Sequence, residues 1–155
     1  MTATNPREPR EPREVDAALA VLGGPPALGR DTRSREGLHE VVRKGLPFRA
    51  LSHVMEAYDL SRDVVCSILQ LSPRNFLRRK EQKRLSPAES DRLYRLARVL
   101  AHADRVFEDP HASAEWIRTP NPALDKQDPL SLLDTDFGVQ QVDEILGRIE
   151  HGIVG

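Results

Sequence analysis

Between Arg62 and Arg84 lie seven basic residues, with only Asp63 and Glu81 to balance them. Their types and spacing suit the reading of a nucleic acid. Arg can donate paired hydrogen bonds to guanine, and Asn can pair in the same way with adenine, so Arg74 and Asn75 are candidate base readers. Arg78, Arg79, Lys80, Lys83 and Arg84 can neutralise phosphates and release counterions. Ser72 followed by Pro73 has the form of a helix start, and a hydroxyl beside a helix N-terminus suits a phosphate. The competing reading is a solvated basic helix near an acidic partner surface. Composition alone leaves the two about even.

The other reactive residue types form no recognisable site. His39, His53, His102, His111 and His151 are scattered, without the paired spacing of a metal centre, so neither a metal nor a cofactor is expected. Gly23-Gly24-Pro25-Pro26 is a chain breaker rather than a phosphate loop. No Ser stands in a nucleophile motif such as Gly-x-Ser-x-Gly. Asp134 and Asp136 resemble paired carboxylates, but they flank Thr135 at a helix start, where acids complement the helix dipole. Cys66 reads as a core residue. Trp116 reads as a core anchor ahead of an exposed hot spot. No enzyme is expected.

The elements that position the basic residues are helices joined by turns. Arg35–Lys44 places Leu38, Val41 and Val42 on one face, and Gly45 ends it. A second helix begins near Pro47 and carries Phe48, Leu51, Val54 and Met55. Ser61 caps a third, with Val64, Val65, Ile68 and Leu69 inward, and Ser72-Pro73 opens a fourth. This is the layout of a helix-turn-helix, with Arg74 and Asn75 in the first turn of the recognition helix. Ser86-Pro87-Ala88-Glu89 has capping-box spacing. It starts the longest helix, whose stripe is Leu93, Leu96, Ala97, Leu100, Ala103 and Phe107. A short helix follows around 112–118. Pro120 and Pro122 then favour an extended link, Pro129–Leu133 makes one turn, and Thr135 caps a last helix that Gly152 terminates. No segment alternates with period two, so the expected fold is all-α. It consists of a helix-turn-helix module joined by a long helix to a small helical C-terminal module, the two packed together.

Composition sets bounds on this reading. The chain has 155 residues, 39% hydrophobic and 30% charged, enough for a Leu/Val/Ile/Ala core. No apolar run approaches the ~18 residues that a bilayer span needs, so no membrane partner is expected. One cysteine excludes an internal disulfide, and the default location is the cytoplasm. The net charge of −1 conceals a basic block followed by an acidic one, since Arg118, Lys126 and Arg148 face eight acids beyond Ala112. Two surfaces with opposite partners would account for this. At the start, Pro-Arg-Glu repeats three times from Pro6 to Glu14. Such hydrated, proline-rich sequence buries little apolar surface, so residues 1–33 are expected to be a disordered tail, and deletion of residues 1–30 is expected to leave stability nearly unchanged. Val15–Leu22 is the one stretch there able to form a short helix.

Two phrases carry a resemblance. The first is Ser72-Pro73-Arg74-Asn75-Phe76-Leu77-Arg78-Arg79. The second runs from Ala114-Glu115-Trp116-Ile117-Arg118-Thr119-Pro120-Asn121-Pro122 through Leu132-Leu133-Asp134-Thr135-Asp136-Phe137-Gly138-Val139 to Glu150-His151-Gly152. Over roughly residues 46–152 the chain resembles the Xre–MbcA–ParS antitoxins. It departs from them at Asn75-Phe76, where Thr-Leu is common, and at Asp125-Lys126, in place of Gly-Gly. The resemblance implies a helical helix-turn-helix DNA-binding domain over 34–108 and a toxin-binding domain over 109–155. It also implies two partners, a RES-domain toxin that consumes NAD or transfers ADP-ribose from it, and operator DNA under autoregulation. By the same resemblance, the C-terminal segment Arg148, Glu150, His151, Gly152, Ile153, Val154 and Gly155 plugs the toxin's NAD site, flanked by Asn121, Pro122 and Leu124. An acidic domain would complement a pocket built for pyrophosphate. A stand-alone regulator, with a C-terminal domain for dimerisation or ligand sensing, is the alternative. Helix-turn-helix proteins commonly bind DNA as dimers, and an apolar face on 47–58 or 87–108 is the expected homodimer surface.

Overall fold

Ser86 sets the axis of the molecule. Its hydroxyl accepts from the Glu89 backbone N–H, and the Glu89 carboxylate returns a bond to the Ser86 N–H. Pro87 has no N–H to satisfy, so the box pairs two of the three orphan donors of the helix start. From this box α7 (Pro87–Phe107) runs 21 residues, about 30 Å at 1.5 Å per residue. Its buried residues include the expected stripe Leu93, Leu96, Ala97, Leu100 and Ala103, and also Val99 and Ala101. That spread is wider than one face because α1, α3, α5, α8 and α9 all pack against it.

The computed structural model describes residues 11–29, Thr32 and residues 35–152. Among these the elements are α1 (Glu11–Val21), α2 (Gly24–Leu28), α3 (Arg35–Lys44), α4 (Phe48–Ala57), α5 (Arg62–Leu69), α6 (Pro73–Gln82), α7, α8 (Pro110–Arg118), 3-10 turns at Pro122–Leu124 and Pro129–Leu132, and α9 (Asp136–Glu150). No strand occurs among the described residues; Pro47–Arg84 and Asn121–Gln127 form isolated bridges. The all-α expectation holds.

The caps stand where the sequence put them. Ser61, Ser72 and Thr135 each accept from the backbone N–H three residues on. Pro47 is itself the cap residue, one position ahead of the helix it was expected to begin. Gly45 closes α3 at φ +100°, and any Cβ there would meet the Leu85 carbonyl oxygen at 2.0 Å. The same crowding explains Gly138, in the first turn of α9, where a Cβ would lie 1.8 Å from the Leu132 carbonyl oxygen. The absence of a side chain lets α9 seat directly on the second 3-10 turn. The link after Pro120 is not simply extended, because Asn121 caps a 3-10 turn through its side chain.

The N-terminal expectation is overturned for residues 11–28. They form α1 and α2, and Ala18 and Leu22 are fully buried. The proline-rich repeat had suggested too little apolar surface, but the run Ala17-Ala18-Leu19-Ala20-Val21-Leu22 that follows it supplies enough. Small residues on α1 let it close on α7, and the Arg49 guanidinium fixes α2 to α4 through the Ala27 carbonyl at 2.8 Å. Residues 1–10, which hold most of the repeat, lie outside the described residues. The apolar faces of α4 and α7 are also covered within the chain, since Phe48, Ala50, Leu51 and Val54 join the same core cluster as the α7 stripe. Among the described residues, neither face presents the open apolar surface expected for a homodimer.

The two halves pack together, as expected. Arg118 of α8 donates to the Asp59 carbonyl at 2.8 Å and also to that of Tyr58, at the α4–α5 corner. Gln70, at the turn between α5 and α6, donates to the Asp134 carbonyl at 3.1 Å. Arg95 holds Asp136 at 2.9 Å.

Candidate functional site

The first candidate surface is α6 with the turn that precedes it. Gln70 takes the left-handed conformation at φ 53°, Leu71 is buried, and Ser72 restarts the helix. Phe76 turns inward and meets the Phe48 ring edge-on at 5.3 Å. That contact fixes the rotation of α6, so Arg74, Arg78, Lys80, Lys83 and Arg84 are exposed, while Asn75 is half-buried. The Ser72 hydroxyl is engaged as an acceptor by its capping bond, and its proton remains available to a ligand. Arg84 also donates to the Lys44 carbonyl at 3.4 Å, which steadies the end of the basic run against α3.

Arg79 departs from the expectation. Its Nε lies 2.9 Å from Glu89 Oε2, and the two side chains are only 18% and 9% exposed. Burial alone would push the Glu89 carboxyl up, but the Arg79 and Ser86 bonds overcome this and hold it below the usual range. Arg79 is therefore a structural tie between α6 and the capping box, and it is not a free phosphate contact. Leu77 was not among the contact residues expected from the sequence, yet it is 52% exposed. The signal was its spacing, three residues after Arg74 and next to Arg78.

The second candidate surface lies at the far end of α9. Arg148 and His151 are exposed, and Gly152 closes the helix at φ +69°. Glu150 is tied down: its carboxylate meets His102 Nε2 at 3.1 Å and Arg105 Nε at 3.2 Å. His102 meets Asp143 through its other ring nitrogen at 3.1 Å. Of the flanking residues, Pro122 is exposed and Asn121 is half-buried in its capping role. Leu124 is 5% exposed, so it is a core residue that offers a partner no surface. Ile153, Val154 and Gly155 lie outside the described residues. Phe137, 71% exposed at the start of α9, was not singled out from the sequence. Trp116 is half-buried and stacks at a tilt on Phe107, 5.5 Å between centroids.

The clasp around His102 makes stability depend on pH. The Asp143 hydrogen bond raises the His102 pKa, burial opposes it, and the Glu150 bond adds to the rise. Arg105 pulls the other way, and Arg98 and Glu14 complete the charged rim. A raised folded-state pKa contributes stability that is complete below the ordinary value of 6.5 and is lost as pH rises through the folded value. Glu150 is opposite in sign: burial pushes it up, but Arg105 and His102 hold it below its ordinary 4.5, so its contribution disappears in acid. Thermal melts are expected to fall as pH rises above 6.5 and through the higher folded-state value of His102, and His102→Asn is expected to flatten that slope. An unchanged slope in the variant would assign it to other groups.

Residues 37–98, which span α4 to α6, match the family model described as the antitoxin Xre-like helix-turn-helix domain. Residues 102–152 match the antitoxin Xre/MbcA/ParS C-terminal toxin-binding domain. The two matches adjoin inside α7. "Antitoxin Xre" of Photorhabdus laumondii subsp. laumondii is 31% identical over 129 residues, covering 82% of this chain and 87% of its own length. The chain belongs to the Xre/MbcA/ParS antitoxin family. A second "Antitoxin Xre", from Yersinia enterocolitica, is 38% identical over 77 residues, covering 49% of this antitoxin and 52% of its own chain. A "Prs ADP-ribosylating antitoxin" from Sphingobium sp. (strain YBL2) is 26% identical, covering 72% of this antitoxin and 77% of its own chain. Among the described residues no helix is long and apolar enough to cross a membrane, and no three His, Cys, Asp or Glu residues are grouped to hold a metal.

Proposed function

We propose that this antitoxin neutralises a RES-domain toxin, an NAD-consuming or ADP-ribosylating enzyme, by occupying its NAD site, and that it represses its own operon through α6. The protein acts by binding, in the cytoplasm, without catalysis of its own. Operator binding is assigned to residues 34–108 and toxin binding to 109–155. The observation that carries this reading is the pairing of an exposed basic recognition helix with an acidic half that matches a toxin-binding domain. The name of the Sphingobium relative supports a toxin of ADP-ribose chemistry. The plug is assigned to Arg148–Gly155, with Asn121 and Pro122 beside it. In this arrangement Glu150 directs the segment from below, through its bonds to α7, rather than entering the pocket. Titrating the full chain into its cognate RES-domain toxin is expected to stop NAD consumption at a fixed stoichiometry. Continued consumption in excess antitoxin would refute the reading.

The DNA half separates by residue. Arg74→Ala is expected to cost about 1–3 kcal/mol of operator affinity and to relax preference at one position. Lys83→Ala should weaken binding to all sequences and reduce the salt slope by about one counterion. Arg79→Ala should act on the fold instead: breaking a buried pair costs about 3–5 kcal/mol, and the residual exposure here puts the loss near the lower end. Fluorescence anisotropy on the gene's upstream region, with parallel melts, checks all three. The antitoxin is expected to bind as at least a dimer, so a monomer mass on operator DNA counts against that arrangement.

A further inference from the structure

The exposed face of α6 carries one apolar side chain that the fold does not use. Leu77 is 52% exposed, although Phe76 beside it is buried and anchored on Phe48. The roll of α6 is fixed independently by the Arg79–Glu89 pair on its inner side. Leu77 therefore points outward by construction, between Arg74 and Arg78, both exposed. A lone leucine set among cations does not suit an apolar protein surface, because docking would desolvate the neighbouring guanidinium groups. It does suit the major groove of DNA. There the phosphates answer the cations, and the thymine 5-methyl is the apolar group presented among the base edges.

We propose that Leu77 is a specificity-determining residue that packs against the 5-methyl group of a thymine in the operator. This rests on the assignment of DNA binding to α6 and adds to it a base and an atom. Arg74 and Leu77 are three residues apart, about 4.5 Å along the helix axis at 1.5 Å per residue. Base pairs repeat every ~3.4 Å. The thymine therefore lies one or two base pairs from the one that Arg74 contacts.

The test uses the full chain and duplexes from its gene's upstream region, in which thymines are replaced one at a time by deoxyuridine. That change removes the methyl group and nothing else from the base. Wild type is expected to lose about fourfold in affinity at one thymine of each half-site, the worth of one buried methyl group. Leu77→Ala is expected to bind the unmodified duplex more weakly by a similar factor and to show no thymine-over-uracil preference at that position. Its melting temperature should be unchanged, since the side chain is exposed. If wild type binds but the deoxyuridine scan is flat, the proposal is overturned while the DNA-binding role of α6 stands. If Leu77→Ala keeps the full preference, another residue reads the methyl group and the proposal is likewise overturned. If Leu77→Ala instead loses toxin binding with its preference for thymine intact, Leu77 belongs to a protein interface. If wild type binds no upstream duplex at low salt, the operator reading fails and this proposal fails with it.

Discussion

A chain lacking residues 1–30 is expected to melt on the order of 10 °C below the full-length antitoxin. Ala18 and Leu22 are fully buried, and Leu28 nearly so, so the deletion strips the cover from α7 and frees the Arg49 guanidinium from the Ala27 carbonyl. Leu22→Ala tests the same contact without shortening the chain. A buried Leu→Ala change costs about 2–5 kcal/mol, and each kcal/mol shifts the midpoint of a domain this size by roughly 2–4 °C. Differential scanning calorimetry on both variants decides the matter. A midpoint within a degree or two of wild type would show that α1 does not dock on α7 in solution.

A chain stopped after Gly152 is expected to fold, to bind operator DNA and to fail to protect growth against its toxin. The stop belongs after Gly152 rather than earlier because Glu150 holds the end of α9 to His102 and Arg105. Cutting ahead of Glu150 would remove that clasp together with the plug and confuse the two effects. If Ile153 and Val154 fill the toxin pocket, their loss should weaken binding by about 30-fold or more, the equivalent of one ~2 kcal/mol hot spot. Isothermal titration of toxin into both chains, with growth assays beside it, gives the answer. Equal neutralisation would move the inhibitory surface elsewhere, and the exposed Phe137 at the other end of α9 is then the residue to substitute.

The helices were legible in the sequence because their signals are local. Ser61, Ser72, Ser86 and Thr135 cap helices through bonds that span three residues, and no distant contact is needed to predict them. The helix-turn-helix followed from those caps together with the apolar spacing between them. The family was legible because the phrases that identify it are contiguous stretches of chain.

Which charges are spent inside the fold was decided only by tertiary structure. Arg79 reads from sequence as one cation among several, but its partner Glu89 is brought in by the reversal of chain between α6 and α7. Glu150 and His102 are 48 residues apart, so no spacing rule could have paired them. The same holds for Leu124 and Leu77, which look equally apolar on paper. One is buried and the other lies on the exposed face of α6, because side-chain burial depends on what packs over a position and not on the residue alone. The first helix shows this most plainly. Its composition suggested a hydrated tail, since propensity and charge are read along the chain. Its stability comes from the small apolar residues of α1 meeting α7 some 80 positions later, a contact that exists only once the chain has folded.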